Sequence, residues 1–188
     1  CAVNPACGRE RYYEIKPTLV PKNVMVVGGG VAGMEAARIA KMRGHNVTVY
    51  EASNALGGVI IPGSVPDFKL DDRRLISWYR NEMKRLNINV ALNTKVTEEL
   101  VDKEKPDIVI IATGAKEIKL SLPGIEKDKV ASAVELLNGT KKAGKNVLMV
   151  GGGLVGCETA LYLAQSGKNV TIVEAKENIL STGKPVPH

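Results

Sequence analysis

Apolar and polar positions along this chain follow a pattern that comes twice. Residues 23–27 and 146–150 are short apolar runs of strand length, each entering a run of three glycines. Residues 31–43 and 154–166 space their apolar positions as helices do, and Gly44 and Gly167 stand where a helix takes its left-handed C′ residue. Residues 47–51 and 170–174 then predict second strands, ending on Glu51 and Glu174. Set at an offset of 123, residues 24–52 and 147–175 are identical at 14 of 29 positions, every glycine among them. That offset is too long for a solenoid repeat, so each copy is one strand–helix–strand unit, and two copies predict two parallel sheets.

Between the copies, residues 71–86 predict a helix with Asp71 and Asp72 at its positive end and a stripe of Leu75, Tyr79, Met83 and Leu86. Trp78 beside that stripe reads as packing. A strand at 89–92, a short helix near 98–103 and an apolar strand at 108–112 follow. Pro123 and Gly124 mark a turn, and residues 132–137 a short helix leading into the second copy. Residues 53–70, rich in glycine and proline, read as an irregular loop too long to be idle.

Composition narrows the class. Of 188 residues, 44% are hydrophobic and 24% charged, as in an ordinary globular protein. The longest apolar run, near 108–113, is strand-sized, far from the ~20 residues of a membrane span, so no membrane role is expected. The net charge of +6 comes from paired basic residues interleaved with acids, and aromatics are only 4%. A solvated mixed surface explains both, and no nucleic-acid partner is expected. Three scattered cysteines make no disulfide framework and fit a reducing, cytoplasmic setting. Cys157 reads as a small buried packing residue. The first residue is Cys rather than Met, and the chain reads as a fragment of a longer one.

The glycines carry the chemistry. Gly28, Gly30 and Gly33 form G-x-G-x-x-G between a strand and a helix; Gly151, Gly153 and Gly156 repeat it. The first glycine permits a tight turn, the second lets a pyrophosphate approach the backbone, and the third lets helix pack on strand. The opening helix residues, Val31 and Ala32 in one copy and Leu154 and Val155 in the other, turn free N–H groups toward the phosphates. Glu51 and Glu174, 23 residues past the first glycine of each motif, are placed to accept from an adenosine ribose. One such motif is weak evidence; two, each with strand, helix and distant acid, indicate two dinucleotides.

These paired motifs, with Leu56-Gly57-Gly58 after the first acid and Ala112-Thr113-Gly114 ending a strand, resemble the two-dinucleotide flavoprotein reductases. The resemblance implies an α/β protein of two Rossmann-like folds with parallel sheets, the second inserted in the first. Residues 23–117 would form an incomplete fold for FAD, and residues 118–188 the N-terminal part of a fold for NAD(P)H. It also implies that Ala52, Gly58, Val96, Ala112, Thr113 and Gly114 lie along the FAD. No C-x-x-C is present, which argues against the disulfide reductases.

Cys1-Ala2-Val3-Asn4-Pro5 followed by Gly8-Arg9-Glu10 is similar to a junction in the 2,4-dienoyl-CoA reductase, trimethylamine dehydrogenase and enoate reductase group of the old yellow enzyme superfamily. Residues 1–22 would be the segment following the iron–sulfur region, with Cys1 a ligand of a 4Fe-4S cluster in the parent only. By that resemblance, electrons pass from NAD(P)H through FAD and the cluster to FMN, bound in a barrel domain of the same chain. FMN then reduces an activated alkene or similar small molecule. Nothing in these residues has to be an acid, base or nucleophile, so no catalytic residue is assigned. The fragment alone is expected to be inactive and to retain FAD poorly; oligomerisation of the parent is left open. Glu174 favours NAD(H) over NADP(H), since a carboxylate repels a 2′-phosphate. Two other readings stand beside this one: a module holding ADP as a structural ligand in place of FAD, and a single-flavin NADH oxidase or ferredoxin reductase, which leaves residues 1–10 unexplained.

Overall fold

The computed structural model describes residues 6–118 and 121–181. The chain divides into two compact units, residues up to 60 with 74–116, and residues 61–73 with the chain from 117 on. Cys1 lies outside the described residues.

The first unit is built on four parallel strands, β1 (Asn23–Val27), β2 (Asn46–Tyr50), β3 (Asn89–Ala91) and β4 (Ile108–Ile111), in the order β3-β2-β1-β4. Helix α1 (Val31–Met42) connects β1 to β2, the crossover that a parallel pair requires. The core joins Val24 and Val26 of β1 and Val47 and Val49 of β2 to Met34 and Ala37 of α1, with Tyr79 and Met83 from α3 (Leu70–Arg85). The stripe on α3 differs from expectation at its first member: Ile76 is buried and Leu75 is exposed. Both fit a helical spacing to Tyr79 and Met83, so periodicity alone does not choose between two adjacent apolar residues. Trp78, expected to pack, is likewise exposed, with the Arg38 guanidinium 5.5 Å from its ring. Asn46 Nδ2 donates to Asn23 Oδ1 at 3.2 Å, and the Asn23 N–H donates to Asp107 Oδ2 at 2.7 Å, which pins the strand starts together.

The segment predicted as irregular contains two helical turns, α2 (Ile60–Gly63) and a 3₁₀ turn at Asp67–Lys69. The Arg73 guanidinium organises the stretch after α2, donating to the carbonyls of Ser64 and Val65 at 2.6 and 2.8 Å and to Asp67 at 3.0 Å. No periodic signal announces these turns, because polar side-chain bonds rather than an apolar stripe hold them. After β3 comes α4 (Glu98–Glu104), capped by the Thr97 hydroxyl.

In the second unit, β5 (Asn146–Val150) pairs in parallel with β6 (Asn169–Val173) across α6 (Leu154–Gln165). The strand starts are again tied by asparagines, Asn169 Nδ2 to Asn146 Oδ1 at 2.9 Å. Thr159, Ala160 and Leu163 form the buried side of α6. Upstream, α5 (Ala133–Leu137) begins with a reciprocal cap: Ser132 Oγ accepts from the Glu135 N–H, and Glu135 Oε2 accepts from the Ser132 N–H. The Lys69 ammonium lies 2.6 Å from Glu158 on α6. Cys157 departs from expectation in being half-buried rather than fully packed, its thiol donating to the Gly152 carbonyl at 3.3 Å. Gly44 and Gly167 stand at φ +92° and +81°, the left-handed conformation of a C′ residue. Among the described residues no helix is long and apolar enough to cross a membrane, and no cluster of His, Cys, Asp and Glu could hold a metal ion.

Candidate functional site

Each copy of the repeat builds its glycine turn in the same way. Gly28 and Gly151 take φ +109° and +105°, which an L side chain rarely adopts. Their N–H groups donate to Tyr50 and Val173 at the ends of β2 and β6, both at 2.8 Å. A Cβ on Gly33 would collide with the Gly28 carbonyl, and one on Gly156 with the Gly151 carbonyl, so each helix lies directly on its turn. Gly30 and Gly153 are the N-cap residues of α1 and α6, in extended conformation with no side-chain cap and no acid in the following turn. The starts of α4 and α5 are capped by Thr97 and Ser132. Two twelve-residue helices therefore present uncapped N–H groups, with Val31, Ala32, Leu154 and Val155 in their first turns, and their positive ends favour an anion.

The acids do more than the spacing implies. Glu51 Oε2 accepts from the Gly29 N–H at 2.6 Å and Oε1 from the Ser53 N–H at 2.7 Å. Glu174 does the same, accepting from Gly152 at 2.6 Å and from Lys176 at 2.9 Å. Each carboxylate is thus a strut across its own glycine turn, with lone pairs remaining for a ribose. Burial pushes the Glu51 carboxyl up, but the N–H and hydroxyl of Ser53 and the N–H groups of Gly29 and Ala52 outweigh it and hold it below the ordinary range. Glu174 is also held low, first by the Lys176 N–H and then by the Gly152 N–H. Both are anions at neutral pH.

This strut explains two residues that the fingerprint leaves unspecified. A Cβ on Gly29 would collide with Leu56 and stand 3.0 Å from the Glu51 carboxylate; one on Gly152 would meet Ile179 at 2.7 Å and Glu174 at 3.2 Å. A side chain at the middle position of either G-x-G would therefore press on the acid and on its apolar cover. The signal was present in the sequence, since all three glycines are repeated. The likeness also runs past the aligned segment: the Gly57 N–H donates to Gly29 O at 2.8 Å, and the Leu180 N–H to Gly152 O at 2.7 Å. Leu56 is fixed in turn by Arg80 of α3, whose guanidinium donates to the Leu56 carbonyl at 2.9 Å. Sequence reasoning missed Arg80, because a lone arginine on a helix carries no motif.

Of the remaining positions, Gly58, Ala112 and Thr113 gather around the first turn. Gly58, at φ +55°, approaches Gly30 so closely that a Cβ there would stand 3.1 Å from the Gly30 Cα. The Ala112 N–H donates to Val27 O at 2.8 Å, and the Ala112 carbonyl and Thr113 Cα crowd the place where Gly28 would carry a side chain. Gly114 follows at φ +71°. Val96 is half-buried in the segment before α4, two residues past Thr94, whose N–H donates to the Glu51 carbonyl at 2.9 Å. The fit to a dinucleotide rests on these features: a turn with no side chains, uncapped helix N–H groups and an ionised acid.

The chain is similar to known proteins. Over its full length the chain is 51% identical to a cinnamate reductase of Clostridium sporogenes, covering 28% of that protein. It is 41% identical to an NADH oxidase of Thermoanaerobacter brockii over 99% of the chain and 29% of the relative. Among solved structures, a 2-naphthoyl-CoA reductase superposes with a TM-score of 0.90 at 37% identity, over 96% of this chain and 28% of that one. The chain thus spans somewhat more than a quarter of the length of these relatives. Residues 22–186 match the pyridine nucleotide-disulphide oxidoreductase family, and the chain belongs to that family.

Proposed function

We propose that residues 1–188 are the dinucleotide-binding portion of an NAD(P)H-dependent flavoprotein oxidoreductase that reduces an activated alkene or a similar small molecule. The observation that carries this reading is the doubled site: two uncapped helix starts, each beside a glycine turn strutted by its own carboxylate. Likeness to a cinnamate reductase and a 2-naphthoyl-CoA reductase supports the substrate class.

The first turn takes the pyrophosphate of FAD on the N–H groups of α1, with Glu51 accepting from the adenosine ribose; Gly58, Ala112 and Thr113 let the ligand lie close to the backbone. The second turn takes NAD(P)H in the same way, through α6 and Glu174. The chemistry supplied by the bound groups is hydride acceptance from nicotinamide and release of single electrons through a 4Fe-4S cluster to FMN, both held elsewhere in the longer protein. These residues bind and orient, and none is assigned a proton transfer. Cys1 is proposed as a cluster ligand on the N-terminal resemblance alone.

For the second site we assign NADH over NADPH. By the dinucleotide fingerprint Glu174 would accept from a ribose 2′-OH and repel a 2′-phosphate; Lys176, whose backbone N–H it accepts, offers a point charge rather than an arginine fork, with Glu177 beside it. The test is a visible spectrum with released-cofactor and iron analysis of the full-length protein. FAD, FMN and iron together are the expected result. ADP with FMN and no FAD would instead make the first site a structural ADP site and overturn the electron path.

A further inference from the structure

The turn that Glu51 struts is held from a second side. The Gly29 N–H donates to the acid, and the Gly29 carbonyl accepts from the Gly57 N–H at 2.8 Å. Gly57 also pairs with Gly30, the N-cap of α1, as an isolated parallel bridge. The peptide group between Leu56 and Gly57 is thus fixed at its N–H end by the turn. Arg80 fixes the other end, since its Nε and Nη2 both donate to the Leu56 carbonyl, at 2.9 and 2.5 Å. One planar unit therefore runs from α3 to the glycine turn, with its hydrogen on the turn and its oxygen on the guanidinium.

This use of an arginine stands apart from its neighbours. Arg38, Arg73 and Arg85 each reach a carboxylate, of Glu35, Asp67 and Glu82. Among the described residues no carboxylate lies within ion-pair distance of Arg80, whose charge is committed to a carbonyl. Leu56 is itself buried, and its side chain lies over Gly29. Gly58 comes next and lies against the backbone of Gly30. The second turn carries the same N–H bond, from Leu180 to Gly152 at 2.7 Å, so a loop tied to the middle glycine belongs to the turn itself.

We propose that Arg80 is a positioning residue of the first dinucleotide site: by holding the Leu56 carbonyl it keeps Gly57 on Gly29 and Gly58 beside Gly30, and so governs how long the bound dinucleotide stays. The inference rests on the proposed function in one point, that a dinucleotide occupies this turn. Arg80 acts on the ligand only through the peptide group that it holds. Without the guanidinium that carbonyl loses both charged donors, and burial of Leu56 lets water replace them only in part. The segment from Leu56 to Gly58 would then be tied to the turn by a neutral hydrogen bond and would open more often. Each opening takes the Gly57–Gly58 backbone away from the start of α1, where the proposed function puts the pyrophosphate. Lysine is a partial substitute, because an ammonium lacks the planar fork that sets two N–H groups on one oxygen.

Arg80→Met and Arg80→Lys in the longer protein test this. The rate at which bound FAD or ADP leaves the folded protein after dilution is the main quantity. It should rise about tenfold in Arg80→Met, the equivalent of one charged hydrogen bond, with Arg80→Lys between that variant and wild type. Exchange of the Gly57 amide hydrogen in the ligand-free protein should rise with it. A residue that only stabilised the fold would lower the melting temperature and leave the release rate unchanged, and that result would overturn the proposal. So would faster release with Gly57 exchange as in wild type. Where Arg80→Met does not fold, Arg80→Lys carries the comparison, and release at the wild-type rate overturns the proposal equally. Wild-type protein that holds neither FAD nor ADP would refute the proposed function and this inference with it, whereas wild type that holds one of them, with both variants releasing it no faster, refutes the role of Arg80 alone.

Discussion

Removing the Glu51 carboxylate should cost the first site its dinucleotide before it costs the protein its fold. In the wild type this one group accepts from Gly29 at 2.6 Å and Ser53 at 2.7 Å, and it retains lone pairs for a ribose. Hydrogen bonds to a charged group contribute about 1.5–3 kcal/mol each, and water reaches this half-buried side chain well enough to replace part of that. A net loss of about 1–3 kcal/mol in affinity for FAD or ADP follows for Glu51→Ala, or roughly 5- to 150-fold. Glu51→Gln keeps an acceptor oxygen without the charge and should fall between. Equilibrium dialysis of the longer protein against FAD measures the loss, and circular dichroism checks that the sheet persists. The sign of the pH effect is also fixed. The folded-state carboxyl lies below its ordinary value, so its stabilisation is complete above about pH 4.3 and is lost as pH falls through the lower, folded value. Wild type and Glu51→Gln should therefore converge in stability on acidification. Unchanged FAD affinity in a folded Glu51→Ala protein would refute the strut and the ribose role together.

Gly29→Ala should destabilise the first unit and weaken FAD retention, because the new methyl group meets Leu56 and the Glu51 carboxylate; thermal melting and flavin content read both effects. Steady-state kinetics of the longer protein should give a higher kcat/KM with NADH than with NADPH, and the reverse order would mean that Lys176 outweighs Glu174. Ser132→Ala removes one half of a reciprocal cap and should cost about 1 kcal/mol in denaturant unfolding, whereas a variant that melts like wild type would show the cap to be redundant.

The repeat made most of the fold legible. Strong apolar periods, helix-closing glycines and two identical turns locate β1, α1, β2, β5, α6 and β6 within a residue or two. What the pattern missed is held by polar side chains that have no period. Arg73 shapes the loop after α2 through two carbonyls, and Arg80 reaches Leu56 from a different element. Such bonds join residues 8 to 24 positions apart, and nothing local marks them. The middle glycines show the opposite case. Gly29 and Gly152 were in view, but a fingerprint that leaves their position free hides a steric demand that only the folded acids and their apolar covers reveal.

The matching struts bear on selectivity. FAD and NADH have the adenosine diphosphate half in common, and on the proposed function that is the half which Glu51 with Gly29, and Glu174 with Gly152, would meet. Two turns alike in conformation, acid and helix start have nothing in that half with which to tell the ligands apart, so free ADP should compete at both. Discrimination must come from beyond the pyrophosphate, where the surroundings cease to match: Gly58, Ala112 and Thr113 close around the first turn, and the second has its own neighbours. Exchanging ligand preference between the sites would therefore require rebuilding those walls, while the fingerprints could be swapped without effect.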